Sequence, residues 1–410
     1  MNISLLSIIK HRWPVILDPM TTITSLIFIT LFLKVFSLEE YGEFIVLSSL
    51  FHFALNHNWG FDSTAKSLAG EKSFNGITLI TCIYMLSILT CAFLLIMGNI
   101  LYLFLEIINF NQFLFIISAI FQLSTATIGI KFLEASKIEN ERVLAFTLNN
   151  ANFLALIAVA GVESSVEIFY IVRLVIIIAL SCIFHTYFVR HIINSSVLIG
   201  LRSSINKILA RQLKYYISGL NANVVWTLNP IILSFITTES FIAIFSIYFR
   251  LAGVFLGLLG YFNSWTVAKL INVKKASRKD TLNQLVPILL VFTITSICSF
   301  LLYILLSSHI VLYWTGQDLD FGMKNIISIG TWLVLITVMM PLNQLIQVMD
   351  LLDYKFIIIG SMLSVVHVSA LVAFQEIFGF ALLAFPIGCI VVSLPICSFY
   401  TWTYFKSLDV

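Results

Sequence analysis

The chain has 410 residues, 60% of them apolar and 10% charged, with a mean hydropathy of +1.02 and a formal net charge of +3. A soluble domain carries about 25% charged residues, so a water-facing globule is excluded, together with any sizeable soluble catalytic or nucleotide-binding module. About 246 apolar residues, at roughly 20 per helix, make about 12 membrane spans and little else.

Apolar runs separated by short polar breaks predict spans over 15–36, 43–65, 76–98, 112–131, 143–162 and 167–189. A second set covers 215–237, 240–266, 284–306, 324–346, 355–374 and 377–402. The stretch before the first span, Met1 to Trp13, is short and leads to no small-residue cleavage site, so no cleavable signal is expected. The six cysteines lie inside apolar runs with no CxxC spacing, which argues against a disulfide framework or a metal site. They read as small buried hydrophobes.

Basic residues orient the chain. With a cytoplasmic N-terminus, all but four of the 23 Lys and Arg (Lys34, Arg173, Arg250 and Lys324) fall in inner segments, as the positive-inside tendency requires. The outer segments are acidic, with Glu39, Glu40 and Glu43, Glu163 and Glu167, Glu239, Asp318 and Asp320. Both termini are therefore expected in the cytoplasm. The longest connection, 190–214, is basic and lies at the middle. It predicts an N-terminal six-helix bundle over 1–189, a linker over 190–214 and a C-terminal six-helix bundle over 215–410. Six spans in each half give the halves one orientation, as in parallel repeats around a central cavity. Phe61-Asp62-Ser63 after Glu40 is echoed by Phe262-Asn263-Ser264 after Glu239. The expected fold is an all-α polytopic membrane protein.

Ionisable groups inside the hydrocarbon are costly and mark pathways or sites. Arg250 lies about 11 residues into its run, roughly 16 Å along the axis. It shares a helical face with Ser246, Gly253 and Gly257, and either faces a cavity as a cation or is a structural arginine beside a tight GxxxG helix contact. Arg173 lies nearer the outer surface, within snorkelling reach. The second span carries a polar stripe of Ser49, His52, Asn56, Gly60, Ser63 and Ser67, which must face protein or water. His52 and Asn56 are candidate substrate contacts, and His52 and His57 candidate proton relays. Asp62 and Lys66 stand i,i+4 in the favourable order for a pair. Amides recur at Asn149, Asn150 and Asn152 in the fifth span and at Asn221, Asn223 and Asn229 in the seventh. Proline breaks the equivalent first and seventh helices at Asp18-Pro19 and Asn229-Pro230, which points to moving or ion-coupling elements. Nucleophile-elbow, HExxH, P-loop and dinucleotide motifs are missing from the sequence. Neither an enzyme, a cofactor nor nucleic-acid binding is expected.

The segment Leu38-Glu39-Glu40-Tyr41-Gly42-Glu43-Phe44 resembles the EEYG signature of polysaccharide exporters. Trp59-Gly60-Phe61-Asp62-Ser63-Thr64-Ala65, Ile244-Phe245-Ser246-Ile247-Tyr248-Phe249-Arg250 and Leu312-Tyr313-Trp314-Thr315-Gly316 agree with it. The chain thus resembles the Wzx-type O-antigen flippases of the multidrug/oligosaccharidyl-lipid/polysaccharide (MOP) exporter superfamily. That resemblance implies a bacterial inner-membrane protein moving an undecaprenyl-pyrophosphate-linked oligosaccharide between leaflets by ion-coupled alternating access. It also implies possible association with the polymerase and chain-length regulator of the same pathway. Arg250 is the expected pyrophosphate contact and Arg173 a second one. Competing readings are a multidrug or cation antiporter of the same superfamily, which would want a membrane carboxylate, and an O-antigen polymerase, which would want a large outer loop.

Overall fold

The computed structural model describes residues 23–54, 91–96, 109–126, 150–160, 165–192, 228–272, 278–348 and 354–407, with isolated positions at 88, 99, 102, 213, 216 and 217. Every regular element among them is helical, as the hydropathy pattern predicts. Six described helices are long and apolar enough to cross a membrane, and two shorter apolar helices, Ile23–Val35 and Phe110–Gln122, accompany them. The protein is a multi-pass membrane protein.

The chain divides into two compact units. One holds residues 1–40 and 47–220, and the other holds residues 41–46 and 221–410. In the first, α1 (Ile23–Val35), α2 (Leu38–Ala54), α3 (Phe110–Ala126), α4 (Ala151–Val159) and α5 (Val166–Ile192) are described, with α5 packed on both α3 and α4. Phe28, Phe32 and Phe36 stand four apart and so share one face. All three rings meet Phe169 of α5, with centroids 5.6 to 6.4 Å apart.

The second unit contains α6 (Asn229–Ser234), α7 (Glu239–Asn272), α8 (Arg278–Thr315), α9 (Met323–Val348) and α10 (Tyr354–Phe378). It closes with a 3-10 turn (Ala381–Leu383), α11 (Ala384–Gly388), a π-helical turn (Cys389–Ser393) and α12 (Leu394–Ser407). Helices α7, α8 and α9 pack mutually, while α9 also carries α11 and α12. Phe245, Phe249, Trp332 and Phe385 form the aromatic centre where α7, α9 and α11 meet, with ring centroids 5.0 to 5.9 Å apart. The π turn has a local cause. Pro395 has no N–H to donate to the preceding turn, and the amide of Leu394 bonds back five residues to the carbonyl of Cys389.

Helix ends depart from the hydropathy boundaries. The 284–306 run sits inside a 38-residue α8, about 57 Å long, which overreaches a hydrocarbon core of about 30 Å. Likewise α7 runs 34 residues, to Asn272. Hydropathy marks where lipid ends, whereas the backbone hydrogen bonds continue through Lys269 and from Arg278. Leu312 to Thr315, expected in an outer loop, form the last turn of α8. Gly316 ends that helix with φ at +71°, a conformation other residues rarely adopt.

Candidate functional site

The EEYG segment does not lie in a loop ahead of the second helix but forms its first turns. Ser37 Oγ accepts from the Glu40 N–H at 3.2 Å, while the Ser37 N–H donates to Glu40 Oε2 at 2.8 Å, a reciprocal capping box. The next two residues belong to the second unit. Tyr41 is fully buried and interacts electrostatically with Arg250. Gly42 lies against the start of α7, where a Cβ would come within 2.8 Å of the Glu239 carbonyl carbon and closer still to its oxygen. Helix α7 is itself capped by Thr238, whose Oγ1 accepts from the Phe241 N–H at 3.3 Å. Glu40, Tyr41 and Gly42 thus have separate structural tasks: a cap, a fully buried ring, and a backbone approach that only glycine permits.

Arg250 lies eleven residues beyond Glu239 on α7 and is half-buried. Of the Gly253/Gly257 pair on its face, only Gly253 is among the described side-chain positions, and an added Cβ there would meet nothing within 4 Å. One turn before Arg250, the buried Ser246 Oγ finds no hydrogen-bond partner among the described residues.

Arg173 is 2% exposed and turned into its own unit. Its Nε donates to Asn152 Oδ1 of α4 at 2.5 Å, Nη1 donates to Ser118 Oγ of α3, and the guanidinium lies 4.1 Å from the Phe115 ring centroid. Snorkelling to the headgroups, an option its sequence position allowed, is not what it does. Desolvating a guanidinium is costly unless its donors are satisfied, and here two neighbouring helices, α3 and α4, supply the partners. A ligand would reach it only after that network opened.

Asn229 and Pro230 are buried at the start of α6, with the proline in the first helical turn, where its missing N–H costs little. Asn229 Oδ1 is 3.0 Å from His367 Nε2 on α10. The ring of His367 meets Phe385 edge-on at 5.4 Å, and a Cβ on Gly388 would lie 3.3 Å from its Nδ1. His367 was missed by the sequence reading, which followed the polar stripe of the second span. The available signal was a histidine alone in the apolar run Met362 to Leu371. Asp18, Pro19, Asn56, Asp62 and Lys66 lie outside the described residues, and His52 lies on α2 with its side chain outside them.

This all-helical arrangement has solved counterparts. An inward-facing multidrug resistance MATE family transporter of the MOP superfamily superposes with a TM-score of 0.70 over 95% of each chain, at 16% identity. The fold is that of the MOP superfamily transporters. The lipid II flippase MurJ, in an inward closed conformation, gives a TM-score of 0.70 at 16% identity over 97% of this chain and 89% of MurJ. A MOP superfamily transporter from Pyrococcus furiosus with a binding pocket of reversed polarity gives 0.61 at 13% identity, over 97% of this chain and 94% of that one. No protein-family model and no curated protein sequence matches. The likeness is one of architecture.

Proposed function

We propose that this protein is a flippase. It carries undecaprenyl-pyrophosphate-linked O-antigen, or a related polysaccharide repeat unit, from the cytoplasmic to the periplasmic leaflet by ion-coupled alternating access. Supporting this reading are a fold shared with a lipid II flippase and the EEYG segment at the head of α2. The observation that carries it is Arg250, a guanidinium half-buried in a membrane helix, one turn from Gly253, where a Cβ would meet nothing within 4 Å. A pyrophosphate presents a compact pair of anionic groups, and the planar fork of an arginine matches their oxygens where an ammonium offers one point of charge. The lipid tail stays in the bilayer while the charged head and sugars cross. Ser246, buried one turn away, offers a hydroxyl to a sugar. His52 and Asn56 are proposed as further contacts. Asp18, Pro19, Asp62, Lys66, Asn229 and Pro230 are proposed as gating or ion-coupling elements.

A multidrug antiporter is the second reading, favoured by the MATE counterpart. The charge deep within the α7 span, Arg250, is positive, its acid Glu239 standing at the helix start, which suits an anionic cargo better than a cationic drug. A polymerase would need the long outer loop that the sequence lacks.

The test is leaflet accounting in cells that lack this gene but keep the rest of the glycan pathway. Single lipid-linked units should accumulate on the cytoplasmic face, cleared by the wild-type gene and not by Arg250→Ala. Arg250→Lys should restore only part of the flux. Units reaching the outer leaflet unpolymerised would make the protein a polymerase, and normal surface glycan would favour the drug exporter. Full activity of both Arg250 variants would remove Arg250 from the binding site.

A further inference from the structure

The pair formed by His367 and Asn229 is the second buried polar centre of the C-terminal unit, and the pyrophosphate contact makes no use of it. His367 is 5% exposed and Asn229 fully buried, both in apolar surroundings. An ionisable side chain inside a membrane helix costs stability and calls for a function.

The geometry assigns the two ring nitrogens different duties. With Asn229 presenting Oδ1 at 3.0 Å, Nε2 is the nitrogen that keeps its hydrogen and donates it. That leaves Nδ1 with the lone pair, and Nδ1 lies against Gly388, where a Cβ would come within 3.3 Å of it. Among the described elements, those packed most closely on α10 are α6, the 3-10 turn and α11. None of these three contributes an Asp, Glu, Lys or Arg, and the next titratable side chain beyond them is Cys389. On α10 itself, Lys355 and Glu376 lie about 18 and 14 Å away along the axis. A proton added at Nδ1 therefore puts a charge into packing where none of these described elements supplies an acid to balance it. Both flanking elements end next to the contact: α6 begins at Asn229-Pro230, and α11 gives way to the π turn that follows it.

We propose that His367 is the proton-carrying group of the transport cycle. Its Nδ1 lone pair bonds a proton from hydronium, leaving water and an imidazolium, and later returns that proton to water on the other side. Asn229 holds Nε2–H in both states, so the ring keeps its orientation while its charge changes. The charged ring disfavours the described packing of α6, α10 and α11 and favours an arrangement that admits water to Nδ1. Proton occupancy thereby biases the conformational equilibrium. This assignment rests on the flippase reading for its purpose, and names the coupling ion as a proton rather than a metal cation.

Two measurements on the full-length protein decide it. In bilayers, nitrogen-15 spectra of histidine-labelled protein are recorded between about pH 4 and pH 8, across the range where a histidine titrates. One resonance pair should vanish in His367→Gln and show protonation at Nδ1 with Nε2–H retained throughout. Gly388→Ala, which crowds Nδ1 without touching the Asn229 bond, should displace that titration. A His367 that takes up no proton anywhere in this range overturns the proposal. In proteoliposomes, flux of a fluorescent undecaprenyl-pyrophosphate disaccharide should respond to an imposed pH gradient in the wild type and lose that response in His367→Gln. Gradient-dependent flux that survives in His367→Gln overturns the proposal and leaves the flippase standing. Absence of wild-type flux sinks the flippase reading, while the spectra still decide whether His367 binds a proton.

Discussion

Gly42→Ala and Gly253→Ala make a matched pair of perturbations with opposite expected signs. In an unobstructed helix interior, replacing glycine by alanine stabilises by about 1 kcal/mol, because glycine loses more backbone freedom on folding. Gly253 is unobstructed, since a Cβ there meets nothing within 4 Å. At Gly42 the new Cβ would stand 2.8 Å from the carbonyl carbon and 3.2 Å from the Cα of Glu239. Carbon atoms settle at about 3.5–4.0 Å, so the first turns of α2 and α7 must separate by roughly 0.7 Å or more. Both partners are helix backbone, which cannot swing aside as a side chain does. Overpacking of this kind costs about 1–3 kcal/mol. Set against the helix gain, Gly42→Ala should be destabilising by up to about 2 kcal/mol, while Gly253→Ala should be stabilising by about 1 kcal/mol. Equilibrium unfolding of the purified full-length protein in micelles, with both variants measured side by side, gives the two signs directly. If Gly42→Ala proves as stabilising as Gly253→Ala, the close approach of α2 to Glu239 is absent and the structural account of the EEYG glycine fails.

Ser246→Ala removes a buried hydroxyl that has no partner among the described residues, so it should raise stability by about 1 kcal/mol. Lost stability would reveal a protein partner, and unchanged stability with reduced translocation would make the hydroxyl a sugar contact. Arg173→Lys keeps the charge but loses the fork that joins Asn152 and Ser118. It should cost about 1.5–3 kcal/mol, seen as a lower unfolding midpoint in the same micelles. A neutral outcome would show that the three-helix network does not depend on guanidinium geometry.

Much of the fold was legible because the solvent changes along the chain. Apolar runs marked each described helix, and α9 and α10 lie within a few residues of the 324–346 and 355–374 runs. The ends of α7 and α8 were not legible, since helical hydrogen bonding carries on past the lipid boundary where side chains become charged. Arg250 stood out by depth alone. What surrounds it did not, because Tyr41 lies more than 200 residues away in sequence and its burial beside α7 is a tertiary fact. Asn152 and Asn229 were conspicuous as amides in lipid, yet their pairing with Arg173 and His367 is likewise a tertiary fact. Composition shows which polar groups need satisfying, and only packing shows by what.

The π turn near the end of the chain adds one residue to a helix whose residues otherwise advance by about 100° each. Before the turn, Phe385 and Gly388 are directed at His367. After it, Cys397 and Tyr400 pack with Leu342 of α9. The surplus residue acts as a phase shifter between two interfaces that a regular helix would present in a different angular relation. Deleting one residue from Cys389–Ser393 would swing everything beyond it by about a quarter turn. Chain length at this spot therefore sets the angular relation of two interfaces, alongside the proline that favours the turn.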